Sequence, residues 1–198
     1  MKIAILTFDG FNELDSFVAL GILNRLRDKG WKAEIASPTR EITSMNGVKI
    51  YAQQPLEFAN EADVVLFGSG VKTREISNDK KLLSVLNLDP ARQLIGAQCS
   101  GTLMMAKMGL IGTLPACTDL TTKPWVIEAG VNVINAPFYA EGNLATAGGC
   151  MSSQYLAAWV MAKLAGEEAA KEAIHYVAPV GQKEEYVEMV MGVVRGFI

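Results

Sequence analysis

The chain contains 198 residues, of which half are hydrophobic and a fifth are charged, and its net charge at pH 7 is −3. This length suffices for one domain with a full core, and the composition argues against a disordered chain. A small negative charge without a basic cluster disfavours nucleic acid and anionic membranes as partners, and no apolar run approaches the roughly 20 residues that span a bilayer.

Strands and helices are predicted to alternate through the first half of the chain. Runs of apolar or β-branched residues predict buried strands at 2–8, 32–37, 62–70 and 92–98. Helical patterns between them predict helices over 13–29, from Asn78 or Asp79 to Leu86, and after Gln98 to about Lys107. Asn46-Gly47, between two β-like runs, predicts a tight hairpin.

The second half of the chain is predicted to contain short strands followed by three helices. The strands are expected within 112–119 and 131–146, with a turn at 141–143, and the helices at 151–164, 167–176 and 183–195. This order predicts a single α/β domain over 1–198, in which a doubly wound, mostly parallel sheet carries helices on both faces and the last helix is a C-terminal addition. Ligands bind such sheets at the carboxyl ends of the strands, so the loops after Phe8, Phe67 and Gln98 are the expected site.

Cysteine usage indicates the compartment. The three cysteines, Cys99, Cys117 and Cys150, are an odd number and lie far apart in the sequence, which argues against a disulfide framework. The first ten residues are typical of a strand and not of a signal peptide. We therefore expect a cytoplasmic protein.

Cys99 lies at the predicted joint between a strand and a helix, in the segment GAQCSG. A sharp turn of this kind pushes its central side chain into the open, and the N-terminus of the following helix favours a thiolate over a thiol. The sequence therefore predicts an exposed Cys99 of low pKa that acts as a nucleophile. The alternative is a buried cysteine that only packs, which is a common role for a free cysteine.

Four segments, in order, resemble the ThiJ/PfpI superfamily, which is class I glutamine amidotransferase-like. They are ILTFDGFNELDSFVALGIL, in which Asp15 opens the first helix, ADVVLFGSG, LIGAQCSGTLMMAKMGLI and EGNLATAGGCMSSQYLAAWVMAKLAG. The resemblance covers nearly the whole chain. Within the superfamily, the chain resembles the isonitrile (isocyanide) hydratases in carrying an aspartate at the first acidic position.

The resemblance implies roles for several residues. It makes Cys99 the nucleophile and Asp15 its acidic partner, and it implies an oxyanion hole of backbone N–H groups near Ser69 and Ser100. Gly68 matches the first glycine of the family's loop, whereas Ser69 replaces the second and either narrows the pocket or adds a hydroxyl.

Asp15 also has a simpler interpretation as an acid in the first turn of a helix, as does the nearby Glu13, which is expected to face solvent. Beside a thiolate, Asp15 would keep its proton longer than usual, because two negative charges in one site disfavour each other. It would then be able to act as a proton donor.

Histidine usage bears on the reaction class. The only histidine, His175, lies near the end of a late helix and is expected at the surface. Many superfamily members carry a histidine in a Thr-Thr-His segment after the elbow helix, and Asp119 stands in its place here. This difference disfavours protease, amidase and glutaminase activity, which need an acid to protonate an amine leaving group. Asp119 either lies near the pocket or only caps a turn.

Three of four further residues have two possible locations. Cys150 either approaches the pocket or packs beside its glycines, and Cys117 is expected in a strand. Trp125 and Phe138 either line a substrate cavity or belong to the core. No group of histidine, cysteine and acidic residues has the sequence spacing of a metal site, so we expect neither a metal nor an organic cofactor.

The sequence thus predicts a cysteine enzyme, most similar to an isonitrile hydratase, that acts on a small molecule. Two alternatives stay open. One is a redox or stress sensor in which Cys99 is oxidised to sulfenic or sulfinic acid. The other is a glyoxalase or deglycase-like enzyme for reactive carbonyls, although related enzymes typically carry glutamate in place of Asp15. Because the superfamily commonly forms homodimers, we expect a homodimer, with the C-terminal helix at 183–195 as a contact. The apolar residues of this helix lie on one stripe, which must be buried against something.

Overall fold

The computed structural model describes all 198 residues and is built around a seven-stranded sheet. In chain order the strands are β1 (Lys2–Leu6), β2 (Lys32–Ser37), β3 (Glu41–Thr43), β4 (Lys49–Tyr51), β5 (Gln54–Pro55), β6 (Val64–Phe67), β7 (Leu94–Gln98), β8 (Phe138–Glu141) and β9 (Leu144–Ala147). The sheet has the order β5-β2-β1-β6-β7-β9-β8, and only β8 runs antiparallel to its neighbour. β3 and β4 form a separate antiparallel hairpin, as the Asn46-Gly47 pair predicted.

Eight α-helices connect and cover the strands. They are α1 (Glu13–Leu23), α2 (Thr73–Ile76), α3 (Lys80–Leu83), α4 (Gly101–Lys107), α5 (Lys123–Glu128), α6 (Ser153–Ala165), α7 (Glu167–Val177) and α8 (Lys183–Val194). Short 3-10 segments lie at Asn24–Lys29, Leu56–Asn60, Cys150–Ser152 and Arg195–Phe197. None of the helices combines the length and the apolar character that crossing a lipid bilayer requires.

The sheet separates two apolar layers. Side chains of a strand alternate between its two faces, so in β1 Ile3 and Ile5 belong to one layer and Ala4 and Leu6 to the other. The first layer contains buried residues of α1, α6, α7 and α8, and the second contains those of α4 and α5. This arrangement confirms the predicted doubly wound α/β fold.

Some predicted elements are shorter or absent. The helix expected over 13–29 ends as an α-helix at Leu23 and continues as the 3-10 segment, which Gly30 closes with φ of 82°. Asp79 caps α3, which spans only four residues. The strand expected within 112–119 was wrong: Ala116 forms only an isolated bridge with Val133, because Pro115 next to it has no N–H to donate.

The C-terminal helix α8 packs on its own chain. Val187, Val190, Met191 and Val194 are buried in the layer shared with α6 and α7. The apolar stripe of this helix is therefore covered within one chain, and the expectation that the helix contacts a second copy stays a prediction for its remaining surface.

Glycines allow the loops at the carboxyl ends of β1, β6 and β7 to meet. A Cβ atom at Gly70 would lie 2.4 Å from the carbonyl oxygen of Gly10, and one at Gly101 would lie 2.6 Å from that of Phe67. Phe11 bridges both Ser44 of the hairpin and Gly70. The hairpin, the β6 loop and the start of α4 therefore converge on one end of the sheet.

We expect Gly101→Ala to lower the free energy of unfolding by about 1–3 kcal/mol, because the added methyl group overlaps backbone that cannot move aside easily. Urea unfolding measures the change. Gly192→Ala in α8 is the matched control: a Cβ there meets nothing within 4 Å, so a gain of about 0.5–1 kcal/mol is expected. Equal effects at the two positions would contradict this view of the close approach.

Candidate active site

Cys99 occupies a strained turn between β7 and α4. Its φ is 48°, and it is the one residue other than glycine with a positive φ. Such a conformation costs about 1–3 kcal/mol and persists only where the surroundings fix it. Here the Cys99 N–H donates to Ala147 at 2.8 Å, and the Thr118 hydroxyl donates to the Cys99 carbonyl at 2.8 Å. The predicted elbow is present, and its strained backbone favours the interpretation of Cys99 as a functional residue.

One carboxyl group and two thiol groups from distant parts of the sequence meet at this turn. A carboxylate oxygen of Asp15 and the sulfur atoms of Cys99 and Cys150 all lie within 4.8 Å of one another. Asp15 comes from the first turn of α1, and Cys150 begins the 3-10 segment before α6. The same three atoms are donors of the kind that bind thiophilic metals, although their sequence spacing gave no such signal.

The predicted exposure of Cys99 was wrong. Only 3% of the residue is accessible, although it lines the cavity described below. Burial strongly raises the pKa of the thiol, and the neighbouring charge of Asp15 raises it further. Burial and the charge of Asp15 thus both favour the thiol form of Cys99 over the thiolate, opposite to the low pKa that the sequence predicted.

Asp15 is buried to the same degree. Its pKa is raised chiefly by burial, as predicted in direction, and a hydrogen bond from the Ser69 hydroxyl to Oδ2 partly opposes that shift. Oδ1 is buried and has no hydrogen-bond partner. The acid thus has one oxygen held by Ser69 and a second oxygen free for a proton or a ligand. Of the two possibilities for Ser69, the structure shows an added hydroxyl.

Two backbone N–H groups beside the cavity are free. Those of Ser69 and Ser100 donate no hydrogen bond within the chain, and both residues line the cavity. Gly68 does not belong with them, because its N–H donates to the Leu6 carbonyl at 2.9 Å. Its role is steric, since a Cβ there would lie 2.9 Å from the same carbonyl oxygen. The placement of Gly68 among the oxyanion residues was therefore wrong.

Two polar residues that the sequence analysis did not single out donate hydrogen bonds to the two cysteine sulfur atoms at the site. Gln98 is buried, and its Nε2 donates to the Gly149 carbonyl at 2.7 Å and to the Cys99 sulfur at 3.5 Å. Asn12 caps α1 and donates from Nδ2 to the Cys150 sulfur at 3.2 Å. A glutamine at the end of an apolar strand, next to the elbow cysteine, was the available signal for Gln98.

The cavity over these groups measures about 480 Å³. Met45 from the hairpin, Val71 from the β6 loop and Trp125 from α5 contribute apolar surface to its wall. Asp119 also lines it and accepts a hydrogen bond from the Thr122 N–H at 2.9 Å, so it both caps a turn and faces the pocket. No lysine, arginine or histidine lines the cavity.

The comparisons with known proteins agree with this geometry. The sequence model of the DJ-1/PfpI family matches residues 1–163. The chain belongs to the DJ-1/PfpI family. This family includes enzymes with a catalytic cysteine, and its members are often homodimers. No curated protein matches the chain significantly.

Solved structures of DJ-1/PfpI proteins share the fold. Schizosaccharomyces pombe DJ-1 is 17% identical with a TM-score of 0.76, over 90% of this chain and all (100%) of that one. A mutant of a DJ-1 superfamily protein from Salmonella typhimurium is 22% identical with a TM-score of 0.77, over 89% of this chain and 98% of the other. A ThiJ/PfpI family protein from Pseudomonas syringae is 18% identical with a TM-score of 0.76, over 98% and 88% of the two chains.

The remaining candidate residues lie outside the site of this DJ-1/PfpI protein. His175 is half-exposed on α7 with Nε2 3.6 Å from Glu184, as expected of a surface histidine. Phe138 is a core residue that packs on Trp159. Cys117 is buried but belongs to no strand, and its N–H donates to a side chain of β9.

Glu13 does not simply face solvent. It accepts hydrogen bonds from Ser44 at 2.5 Å and from Asn46 at 2.8 Å, and so it fixes the hairpin to α1. Glu13 thus helps to position the hairpin, which contributes Met45 to the wall of the cavity.

We expect Asp15→Asn to lower the pKa of Cys99, because the substitution removes the negative charge that opposes thiolate formation. The pH dependence of Cys99 alkylation by iodoacetamide, located by peptide mass spectrometry, measures this pKa. Asp119→Asn removes a charge from the same cavity and is the matched control. A rise of the Cys99 pKa in Asp15→Asn would instead show that a protonated Asp15 stabilises a thiolate.

Asp15→Asn should also change the pH dependence of stability. Because burial raises the pKa of Asp15 above its ordinary value of 3.8, the folded protein binds this proton more tightly than the unfolded chain. The stability from that protonation is fully present below about pH 4 and is lost as the pH rises through the folded-state pKa.

The neutral asparagine should therefore make the protein more stable than the wild type at pH 7 to 8, by about 1 kcal/mol, with a difference that shrinks towards pH 4. Urea unfolding across this range checks the sign. Glu57→Gln, at an exposed position, shows what loss of a surface carboxylate does. If the difference in the free energy of unfolding between Asp15→Asn and the wild type does not change with pH, titration of Asp15 is not its cause.

Proposed function

We propose that this DJ-1/PfpI protein is a cysteine-dependent hydratase that adds water to an isonitrile and releases an N-substituted formamide. The observation that carries the proposal is the buried Cys99 thiol beside an Asp15 whose Oδ1 is unpartnered, with no histidine in the cavity. One thiol and one carboxyl group form a pair that can pass a single proton back and forth. Addition of water to a neutral isonitrile requires a nucleophile and a group that carries one proton at a time, and this pair supplies both.

In the first step the Cys99 sulfur attacks the terminal carbon of the isonitrile. Asp15 takes the thiol proton as the C–S bond forms and delivers it to the same carbon, which gives a thioimidate. The raised pKa of Asp15 suits this transfer, because burial makes the carboxylate a better proton acceptor than an exposed aspartate. The step needs no leaving group and leaves Asp15 as a carboxylate.

In the second step water attacks the thioimidate carbon. Asp15 takes a proton from the water and passes it to the nitrogen, and the resulting hydroxyl loses its proton to Asp15 as the C–S bond breaks. The free N–H groups of Ser69 and Ser100 can stabilise the negative charge that develops on that oxygen. Cys99 regains its proton from Asp15, and the formamide leaves.

The charge of the cavity supports a neutral substrate. Asp15 and Asp119 line it, and no cationic side chain does. A carboxylate or phosphate substrate would meet negative charge without compensation, whereas an uncharged isonitrile with an apolar substituent can lie along Met45 and Trp125. The volume of about 480 Å³ is within the range of small-molecule sites.

The two alternatives differ in what supports them. A sensor that depends on a thiolate at rest is disfavoured by the raised pKa of Cys99, although the nearby Cys150 gives redox chemistry a separate basis. A glyoxalase-like reaction would use the same thiol, and the shorter acid at position 15 weighs against it. We place the hydratase in the cytoplasm as a homodimer whose interface does not use the apolar stripe of α8.

We expect the purified protein to convert a simple alkyl or aryl isonitrile into the matching formamide, detected by NMR or by mass spectrometry. Cys99→Ala should abolish turnover, and Asp15→Asn should reduce kcat by about 10²- to 10⁴-fold because the proton transfers lose their carrier. Cys117→Ala, which alters a buried cysteine outside the cavity, should retain activity.

Wild-type protein that binds the isonitrile but forms no formamide, with its Cys99 shown by mass to be reduced, would overturn the hydratase proposal. Turnover of methylglyoxal by the same preparation would then favour the glyoxalase alternative.

A further inference from the structure

We propose that Cys150 is a resolving cysteine: a hydroperoxide oxidises Cys99, and Cys150 then closes a reversible Cys99–Cys150 disulfide within the cavity. This inference goes beyond the hydratase proposal and does not depend on it, because it requires only that a hydroperoxide oxidise Cys99 and that the Cys150 thiol reach the oxidised sulfur.

Distance is the first argument. The two sulfur atoms lie no more than 4.8 Å apart, and both side chains line the same cavity. A disulfide bond is about 2.05 Å long, so closing the gap requires each sulfur to move by at most about 1.4 Å. Such a displacement is on the scale of a side-chain rotation, and Cys150 begins a short 3-10 segment, Cys150–Ser152.

The segment before Cys150 is held against Cys99 by specific contacts. Gln98, the residue before Cys99, donates to the carbonyl of Gly149, the residue before Cys150. Gly149 has φ of 92°, and a Cβ there would meet nothing closer than 3.9 Å. The hydrogen bond from Gln98 to Gly149 therefore keeps the segments that carry the two cysteines together.

The positions of the two cysteines assign the order of the steps. Asp15 lies near both sulfur atoms and can take a thiol proton during attack on a peroxide. Cys99 occupies the strained elbow inside the cavity. The Cys150 sulfur accepts a hydrogen bond from Asn12 Nδ2, which holds it at the side of the cavity. Cys99 is therefore assigned as the thiol that attacks the peroxide, and Cys150 is the second thiol within reach of the product.

The chemistry balances with a hydroperoxide as the oxidant. The Cys99 sulfur attacks the outer oxygen and breaks the O–O bond, so that Cys99 becomes a sulfenic acid and the thiol proton leaves with the alkoxide as an alcohol, or as water from hydrogen peroxide. The Cys150 thiol then attacks the sulfenic sulfur, forms the S–S bond and releases water. A dithiol reductant returns both residues to thiols.

The disulfide would protect the nucleophile. Without a nearby thiol, a sulfenic acid proceeds to sulfinic and sulfonic acids, of which the last is irreversible. With Cys150 in place, oxidation stops at a form that thiol exchange reverses. The cavity then has two states, an open dithiol form that can bind a substrate and a closed form in which Cys99 cannot attack one.

The test is intact and peptide mass spectrometry after mild hydrogen peroxide, with thiols blocked by N-ethylmaleimide under denaturing conditions. We expect oxidised wild-type protein to lose two hydrogen atoms, to label at one of its three cysteines, and to yield a linked Cys99–Cys150 peptide that dithiothreitol separates. Cys150→Ala and Cys150→Ser should instead gain oxygen at Cys99. Cys117→Ala should behave like the wild type.

The proposal is overturned if the wild type gains oxygen at Cys99 as fast as both Cys150 variants do, if the linked peptide joins other cysteines, or if peroxide leaves all three thiols unchanged. Circular dichroism of each variant confirms its folding. Because the readout is the mass of the protein and not turnover, failure of this proposal and failure of the hydratase proposal are separate results.

Discussion

A thiol and a carboxylic acid are buried side by side at the end of the sheet, and the proton count of this pair governs what the site can do. Neither Cys99 nor Asp15 can lose its proton easily, since burial disfavours the charged form of each and a charge on one opposes ionisation of the other. The second negative charge on this pair is therefore disfavoured, and the titration belongs to both groups together. In the mechanism that we propose, attack by the sulfur is coupled for this reason to proton movement through Asp15.

The rest of the molecule makes such a pair possible. Two apolar layers around a mostly parallel sheet supply the stability that offsets a buried acid and a residue in a strained conformation. Parallel register brings the ends of β1, β6 and β7 to the same edge, and close approach of Gly70 and Gly101 to neighbouring backbone lets their loops meet there. The apolar layers on the sheet thus stabilise the fold, and the buried acid and the strained cysteine at its carboxyl edge destabilise it.

The fold and the principal residues could be predicted because each had a local signal. Buried parallel strands appear as apolar runs, and the segment around Cys99 has the small residues of a tight turn. The exposure of Cys99 could not be predicted, because it depends on loops far away in the sequence that close over it. Gln98 and Asn12 were missed for the same reason: each contacts a cysteine-bearing segment that only the folded chain brings near. The segment 112–119 failed because strand formation needs a continuous partner, which Ala116 has at a single bridge.

The same limit on the charge of the pair applies to both proposed reactions, hydration and reversible oxidation, in a site without a histidine. In hydration the proton leaves the sulfur and returns to it, so a single carboxyl group is enough. In oxidation the proton departs with the reduced peroxide, and the sulfur must then meet another group or remain exposed to further oxidant. Cys150, within 4.8 Å of both Cys99 and Asp15, is placed to be that group. A histidine in its position would activate the thiol but would give the oxidised sulfur no covalent partner. The arrangement of one acid and two thiols therefore favours slow, proton-coupled attack together with a means of recovery.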